Sequence, residues 1–330
     1  MAFCGYRTGV IFDQSRAHWR RRAARPIAWS AWYPTEESAG LAQPQPPFFD
    51  PGSLLWNAEP APGMRWPVVL LSHGTGGTAE SLGWLARALA CAGHVVLGAN
   101  HHGNTGSEPF LAEGFLCWWE RAADLSVLLS SLSGEGVFVD LLDLDHVSAV
   151  GFSLGGHTVL TLAGARTSLD RFDAWRAANK RVEAGPREFP DAADHIPDLI
   201  RTSAVFRTSW ARHGDDFSDP RVTSVVAIAP APPVRSFHPG SMSDIALPVT
   251  LLTGGADTEA PPEHCADWLV SLNNRFVHHT LGQEVGHYTF LSVPQDKSLL
   301  GTVDIFTDAD GVDRVRVHER AAQLVRDSLS

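Results

Sequence analysis

From position 67 onward the apolar residues fall into two alternating rhythms. Residues 68–72, 94–99, 146–151, 222–229 and 248–253 are short, near-continuous apolar runs rich in valine, leucine and alanine, the pattern of strands buried on both faces, and 275–281 reads as a further strand. Between and after them, residues 80–92, 118–131, 262–272 and 315–329 carry apolar positions three and four apart, which predicts helices with one buried stripe. Strands that alternate with helices in this way predict an α/β fold with a mostly parallel, doubly wound sheet.

Three stretches break the rhythm. Residues 5–12 and 26–33 read as two further strands, and the basic stretch 16–25 between them reads as a solvated turn. Residues 40–67 are proline-rich and aperiodic, an ordered loop held to the surface by Phe48, Phe49, Leu54, Leu55 and Trp56. Residues 166–220 lose the strand pattern and carry many charges together with Trp175 and Trp210. Short helices at 169–179 and 192–213 fit this segment, which predicts a helical lid inserted into a single domain of 330 residues. An alternative is that its aromatics only build a core for the insertion.

Composition narrows the possible partners. Hydrophobic residues make up 44% of the chain and charged residues 19%, ordinary values for a globular protein with a large core. The net charge of −11 excludes nucleic acid and anionic membrane surfaces as natural partners. No apolar run reaches membrane-spanning length and no signal-peptide core stands at the N-terminus, so the expectation is a cytoplasmic protein. The four cysteines Cys4, Cys91, Cys117 and Cys265 are widely spaced and read as buried small hydrophobes in a reducing compartment.

The candidate chemistry centres on Gly151-Phe152-Ser153-Leu154-Gly155, where an apolar strand meets a sharp turn and passes into a helical pattern. A turn this tight leaves no room for side chains at the flanking glycines and lifts the serine hydroxyl above the carboxyl end of the sheet. A serine needs a base, a group to orient that base and donors for a developing oxyanion. Asp257 follows the run 248–253, and His287 follows the run 275–281, so both fall in loops at carboxyl ends of strands. The order Ser153, Asp257, His287 is that of α/β-hydrolases. Backbone amides of Leu154 and of Thr75, in the loop Ser72-His73-Gly74-Thr75-Gly76-Gly77, are the expected oxyanion donors.

These pieces resemble the α/β-hydrolase superfamily. The chain is similar in particular to bacterial serine hydrolases grouped as predicted dienelactone hydrolases, relatives of plasma-type platelet-activating-factor acetylhydrolase. The resemblance is carried by Trp32-Tyr33-Pro34, the Leu71 to Gly77 loop, Trp119-Glu120-Arg121-Ala122-Ala123-Asp124-Leu125, the Ser153 turn, Gly254-Gly255-Ala256-Asp257 and Val285-Gly286-His287-Tyr288-Thr289-Phe290. It implies Ser153, Asp257 and His287 as a catalytic triad and the Thr75 and Leu154 amides as the oxyanion hole. Two departures stand out. Dienelactone hydrolase itself uses a cysteine where this chain has Ser153, and the place where the acetylhydrolase carries its acid reads Ala229-Pro230-Ala231-Pro232-Pro233 here.

Other residues compete for roles. Asp244, Glu259 and Glu284 are rivals of Asp257, and His101 and His102 are possible lining of the pocket. His73 and His157 read as structural, and Asp308, Asp310 and Asp313 as a solvated turn rather than a calcium loop. The sequence thus predicts a serine esterase that acts on a small-molecule ester through an acyl-enzyme, with no metal or organic cofactor. The same residues would serve an amidase, peptidase or acyltransferase. A phospholipid acetylhydrolase and a non-catalytic binding protein are the remaining readings.

Overall fold

The structure, a computed structural model, describes residues 3–38, 47–182 and 185–329. Its frame is a nine-stranded sheet. In chain order the strands are β1 Phe3–Ala17, β2 Ala24–Thr35, β3 Leu55–Trp56, β4 Trp66–Ser72, β5 Val95–Asn100, β6 Leu142–Phe152, β7 Val222–Ile228, β8 Val249–Thr253 and β9 Val277–Thr280. Their order across the sheet is β3-β1-β2-β5-β4-β6-β7-β8-β9. From β5 to β9 every neighbouring pair is parallel, whereas β1 and β2 pair antiparallel and β2 runs antiparallel to β5. With the helices on both faces this is the α/β-hydrolase fold.

The near-continuous apolar runs follow from burial on both faces. In β4, Val68 and Leu70 enter one core layer while Val69 and Leu71 enter the other. The first layer packs Leu125, Leu128 and Leu129 of the helix Glu120–Gly134 and Leu269 of the helix Ala266–Leu272. The second packs Leu85 and Leu89 of the helix Gly83–Cys91 and Ala321 and Val325 of the helix Arg314–Ser328. The chain leaves β4 for β5 on one side and returns to β6 on the other. The carboxyl ends of β4 and β6 therefore border the crevice where sheets of this kind hold ligands.

Several sequence expectations change in detail. The stretch 16–25 is a solvated turn only at residues 20–23, which are exposed. β1 extends to Ala17, Trp19 and Arg25 are buried, and the Arg25 guanidinium lies 4.0 Å from the Trp19 ring centroid. Arg16 reaches the helix Glu120–Gly134, with Nη1 3.0 Å from Glu120 Oε2 and Nη2 2.7 Å from Asp124 Oδ1. Two carboxylates supplied by a distant helix draw these arginines inward, and nothing in the local sequence announces them. Cys4, Cys117 and Cys265 are buried, but Cys91 is exposed at the end of its helix.

The proline-rich expectation at 40–67 is met for the residues described, 40–46 lying outside them. Leu55 and Trp56 add a short parallel strand to β1, and Phe48 and Phe49 pack their rings against Phe306. Residues 166–220 form the helices Leu169–Ala178, Ile196–Thr202 and Ala204–Ala211. Phe172, Trp175 and Phe206 from this segment are buried, and Ser209 binds both the Trp119 indole and Glu120. The acidic turn near the C-terminus has structural partners. Asp308 pairs with Arg314 and accepts from Thr289, while Asp313 caps the last helix. No helix among the described residues is long and apolar enough to cross a membrane.

Candidate active site

The turn after β6 holds Ser153 at φ +54°, ψ −118°. A non-glycine residue in that region costs about 1–3 kcal/mol and persists only where its surroundings enforce it. Here they do. The Ser153 amide donates to the Ile228 carbonyl at 2.9 Å, and the Ser153 carbonyl accepts from Gly156 at 2.8 Å and from Ala231 at 3.1 Å. A Cβ on Gly151 would lie 2.0 Å from the Gly155 carbonyl oxygen, and one on Gly155 would lie 2.1 Å from that of Ser72. Both clashes are with backbone, so the glycines are sterically required.

His287 opens a 3-10 turn, His287–Phe290, and faces the serine with Nε2 3.0 Å from Ser153 Oγ. Its Nδ1 is 2.7 Å from Asp257 Oδ2, and Asp257 Oδ1 accepts the Ala260 amide at 2.7 Å. Asp257 follows β8 and His287 follows β9, so both groups hang from carboxyl ends of adjacent parallel strands. Ser153 is 8% exposed, His287 and Asp257 are buried, and Ser153 and His287 border the cavity. With Nδ1–H donated to the carboxylate, Nε2 is the acceptor that can take the serine proton. The rivals of Asp257 stand elsewhere: Glu259 pairs with Arg187, and Asp244 ends the short helix Pro239–Asp244.

Thr75 and Leu154 both line the same cavity. Their loops approach each other closely enough that a Cβ on Gly74 would lie 3.2 Å from Ser153 Cβ. The Gly74–Gly77 turn is fastened from outside. Asn104 Oδ1 accepts the Gly76 amide at 2.6 Å, and Thr105 Oγ1 donates to the Gly77 carbonyl at 2.9 Å. Sequence reading passed over Asn104 because its role depends on a loop 28 residues away from its partner.

Beneath this turn lies a buried polar layer. Arg121 donates to the His73 carbonyl and, at 3.4 Å, to Ser72 Oγ. Burial pushes its guanidinium down to about 9. Neutral His101 donates Nδ1–H to Asp124 at 2.9 Å and accepts from Ser72 Oγ at 2.9 Å. Burial, and then Arg121, lower His101 to about 4. Burial opposes charge on Asp124 as well, but Arg16, His101 and Arg25 outweigh it and hold the carboxyl well below its ordinary value. His73 donates to the Gly74 carbonyl and accepts the His101 amide, and burial keeps it neutral. His157 is packed against Phe237 with ring centroids 4.4 Å apart. His102 pairs with Glu108 at 2.7 Å. Neither His101 nor His102 is among the residues that line the cavity, contrary to the expectation that they line the pocket.

The cavity in front of Ser153 has a volume of about 850 Å³. Phe48, Phe49, Leu54 and Trp56 of the proline-rich segment wall it on one side, and Phe115, Trp118 and Pro232 on another. Among the described residues of 166–220 only Gly185, Pro186, Arg187 and Glu188 reach it, and the large aromatics Trp175 and Trp210 pack elsewhere. Arg187 ties this rim to the loops of the site, 2.9 Å from Glu259 and 3.1 Å from the Tyr288 hydroxyl. Among the described residues no group of three or more potential ligands is arranged to hold a metal ion.

Comparison with known proteins places the scaffold. No family model matches the sequence. No curated protein matches it either. Among solved structures 946 chains match, so the scaffold is widely used and by itself says little about substrate. One is a ferulic acid esterase from Streptomyces cinnamoneus, which is 16% identical with a TM-score of 0.56 over 98% of this chain and 88% of that one. At that identity the likeness concerns the fold.

Proposed function

We propose that the chain is a serine hydrolase that cleaves a carboxylic ester through an acyl-enzyme. The observation that carries this reading is the hydrogen-bonded series Ser153 Oγ, His287 Nε2, His287 Nδ1, Asp257 Oδ2, with links of 3.0 and 2.7 Å. Ser153 attacks the ester carbonyl while His287 takes its proton. The tetrahedral oxyanion is stabilised by the Thr75 and Leu154 amides, and Asp257 stabilises the imidazolium. His287 then protonates the departing alcohol. Water, deprotonated by the same imidazole, releases the acid and restores the serine.

The substrate is a small or medium-sized ester with an apolar part, which the aromatic walls suit. The likeness to a ferulic acid esterase makes an aromatic acyl group the first class to try. The narrower kinship with dienelactone-hydrolase-like serine hydrolases rests on the sequence pieces that carry it. Residues 166–220 serve as a cover within a single domain, a reading supported by the Arg187 contacts at the cavity rim.

A panel of p-nitrophenyl esters and matched anilides tests the reading. The wild type should hydrolyse esters well ahead of anilides, and Ser153→Ala and His287→Ala should each lose about 10³-fold or more in kcat. Wild-type-like turnover by Ser153→Ala refutes the assignment, and anilides cleaved as fast as esters redirect it to an amidase.

A further inference from the structure

The cavity contains a second polar feature that the ester chemistry does not use. Glu80, at the start of the segment that leads into the helix Gly83–Cys91, lines the cavity together with Tyr6, Trp32 and Trp56. The three rings are clustered. The Tyr6 centroid lies 5.1 Å from that of Trp32 and 4.6 Å from that of Trp56. Glu80 is bound to this cluster, since Tyr6 donates its phenolic proton to Oε1 at 2.8 Å and Ser30 Oγ donates to the same oxygen. Burial, and then the Glu80 charge, raise the Tyr6 phenol far above its ordinary value, so it stays a donor.

Both partners of Glu80 are hydroxyls, and no cation among the described residues is paired with it. A carboxylate that faces a largely apolar cavity without a counter-charge carries a desolvation penalty unless something positive joins it. Tyr6 and Trp32 are buried and support the half-buried Trp56, and a partly exposed indole beside a carboxylate can hold an alkylated ammonium by the ring quadrupole and the charge together. The net charge of −11 acts in the same direction by drawing cations toward the protein.

We propose that Glu80 and Trp56, backed by the buried rings of Tyr6 and Trp32, form a subsite for an alkylammonium group. The ligand class is an organic cation with methyl or methylene groups on nitrogen. This goes beyond the esterase reading but joins it: if that reading holds, the preferred ester carries such a group in its acyl or alcohol part. The subsite is assigned from residues that take no part in proton transfer at Ser153, so each idea stands or falls separately.

The test is calorimetric titration of the full chain with choline and with its neutral carbon isostere, 3,3-dimethylbutan-1-ol. No turnover is needed, so a failed esterase assay leaves this measurement intact. Choline should bind about tenfold or more tightly than the isostere. Glu80→Gln keeps an acceptor for Tyr6 and Ser30, and it should bring the two affinities within about threefold of each other. Trp56→Leu, at a half-buried position, should weaken choline about fivefold or more and serves if the Glu80 variant does not fold. Equal affinities in the wild type, no measurable choline binding, or a choline preference unchanged in both variants overturn the proposal.

Discussion

At Ser153 local chemistry and long-range packing meet within one residue. Its positive φ is held by hydrogen bonds to two neighbouring segments, and the glycines on either side abut backbone atoms. Such requirements leave a mark on sequence because only glycine satisfies them. Asp257 follows the buried apolar strand β8, and His287 lies in the loop after the polar edge strand β9, so the position of each at a strand's carboxyl end was readable from the chain order. Asp257→Asn should lower kcat about 10³- to 10⁴-fold with little change in folding, because an amide favours the wrong imidazole tautomer. Steady-state kinetics with a p-nitrophenyl ester measures this, and near-normal turnover would move the orienting role to Glu259 or Glu284. Glu80 and Asn104 were not legible. Their partners are Tyr6 and Gly76, 74 and 28 residues away, and no spacing rule links such pairs.

Among the elements, the strands were the most readable and the connections the least. The core strands β4 to β8 appear at the expected positions because burial on both faces forces apolar runs. The helix Ala112–Leu116 is too short to show a period, and Arg16 and Arg25, at the two ends of the turn 16–25, are drawn inward by carboxylates that the turn's own sequence does not contain. The Gly74–Gly77 turn rests on the layer formed by Arg121, His73 and His101, and His157 is buried in the helix that follows the elbow, against Phe237. Burial, followed by the Arg121 charge, holds His101 near 4 and His157 near 3, and burial places His318 near 4 as well. In the unfolded chain these imidazoles titrate near 6.5. Their neutral burial therefore contributes stability above about pH 6.5, and that contribution is lost as pH falls toward the folded values. Each of the three should cost on the order of 1 kcal/mol between pH 7 and pH 5.5. Thermal melts across that range should show Tm dropping by several degrees, and a flat profile would show that these groups are not neutral and buried together.

At the scale of the whole molecule, the sheet order sets the site. The crevice at the carboxyl ends of β4 and β6 holds the Thr75 loop on one side and Ser153 on the other, with β8 and β9 delivering Asp257 and His287. A proline-rich segment that the sequence offered only as a surface loop supplies much of the cavity wall. The central claim of the proposal is that Ser153 is an activated nucleophile, and intact-mass spectrometry with peptide mapping reads its covalent capture directly. After treatment with a fluorophosphonate, the wild type should gain one phosphonyl group on the peptide that contains Ser153, and Ser153→Ala should gain none. An unlabelled wild type that is folded, or an adduct that persists in Ser153→Ala, would contradict the account.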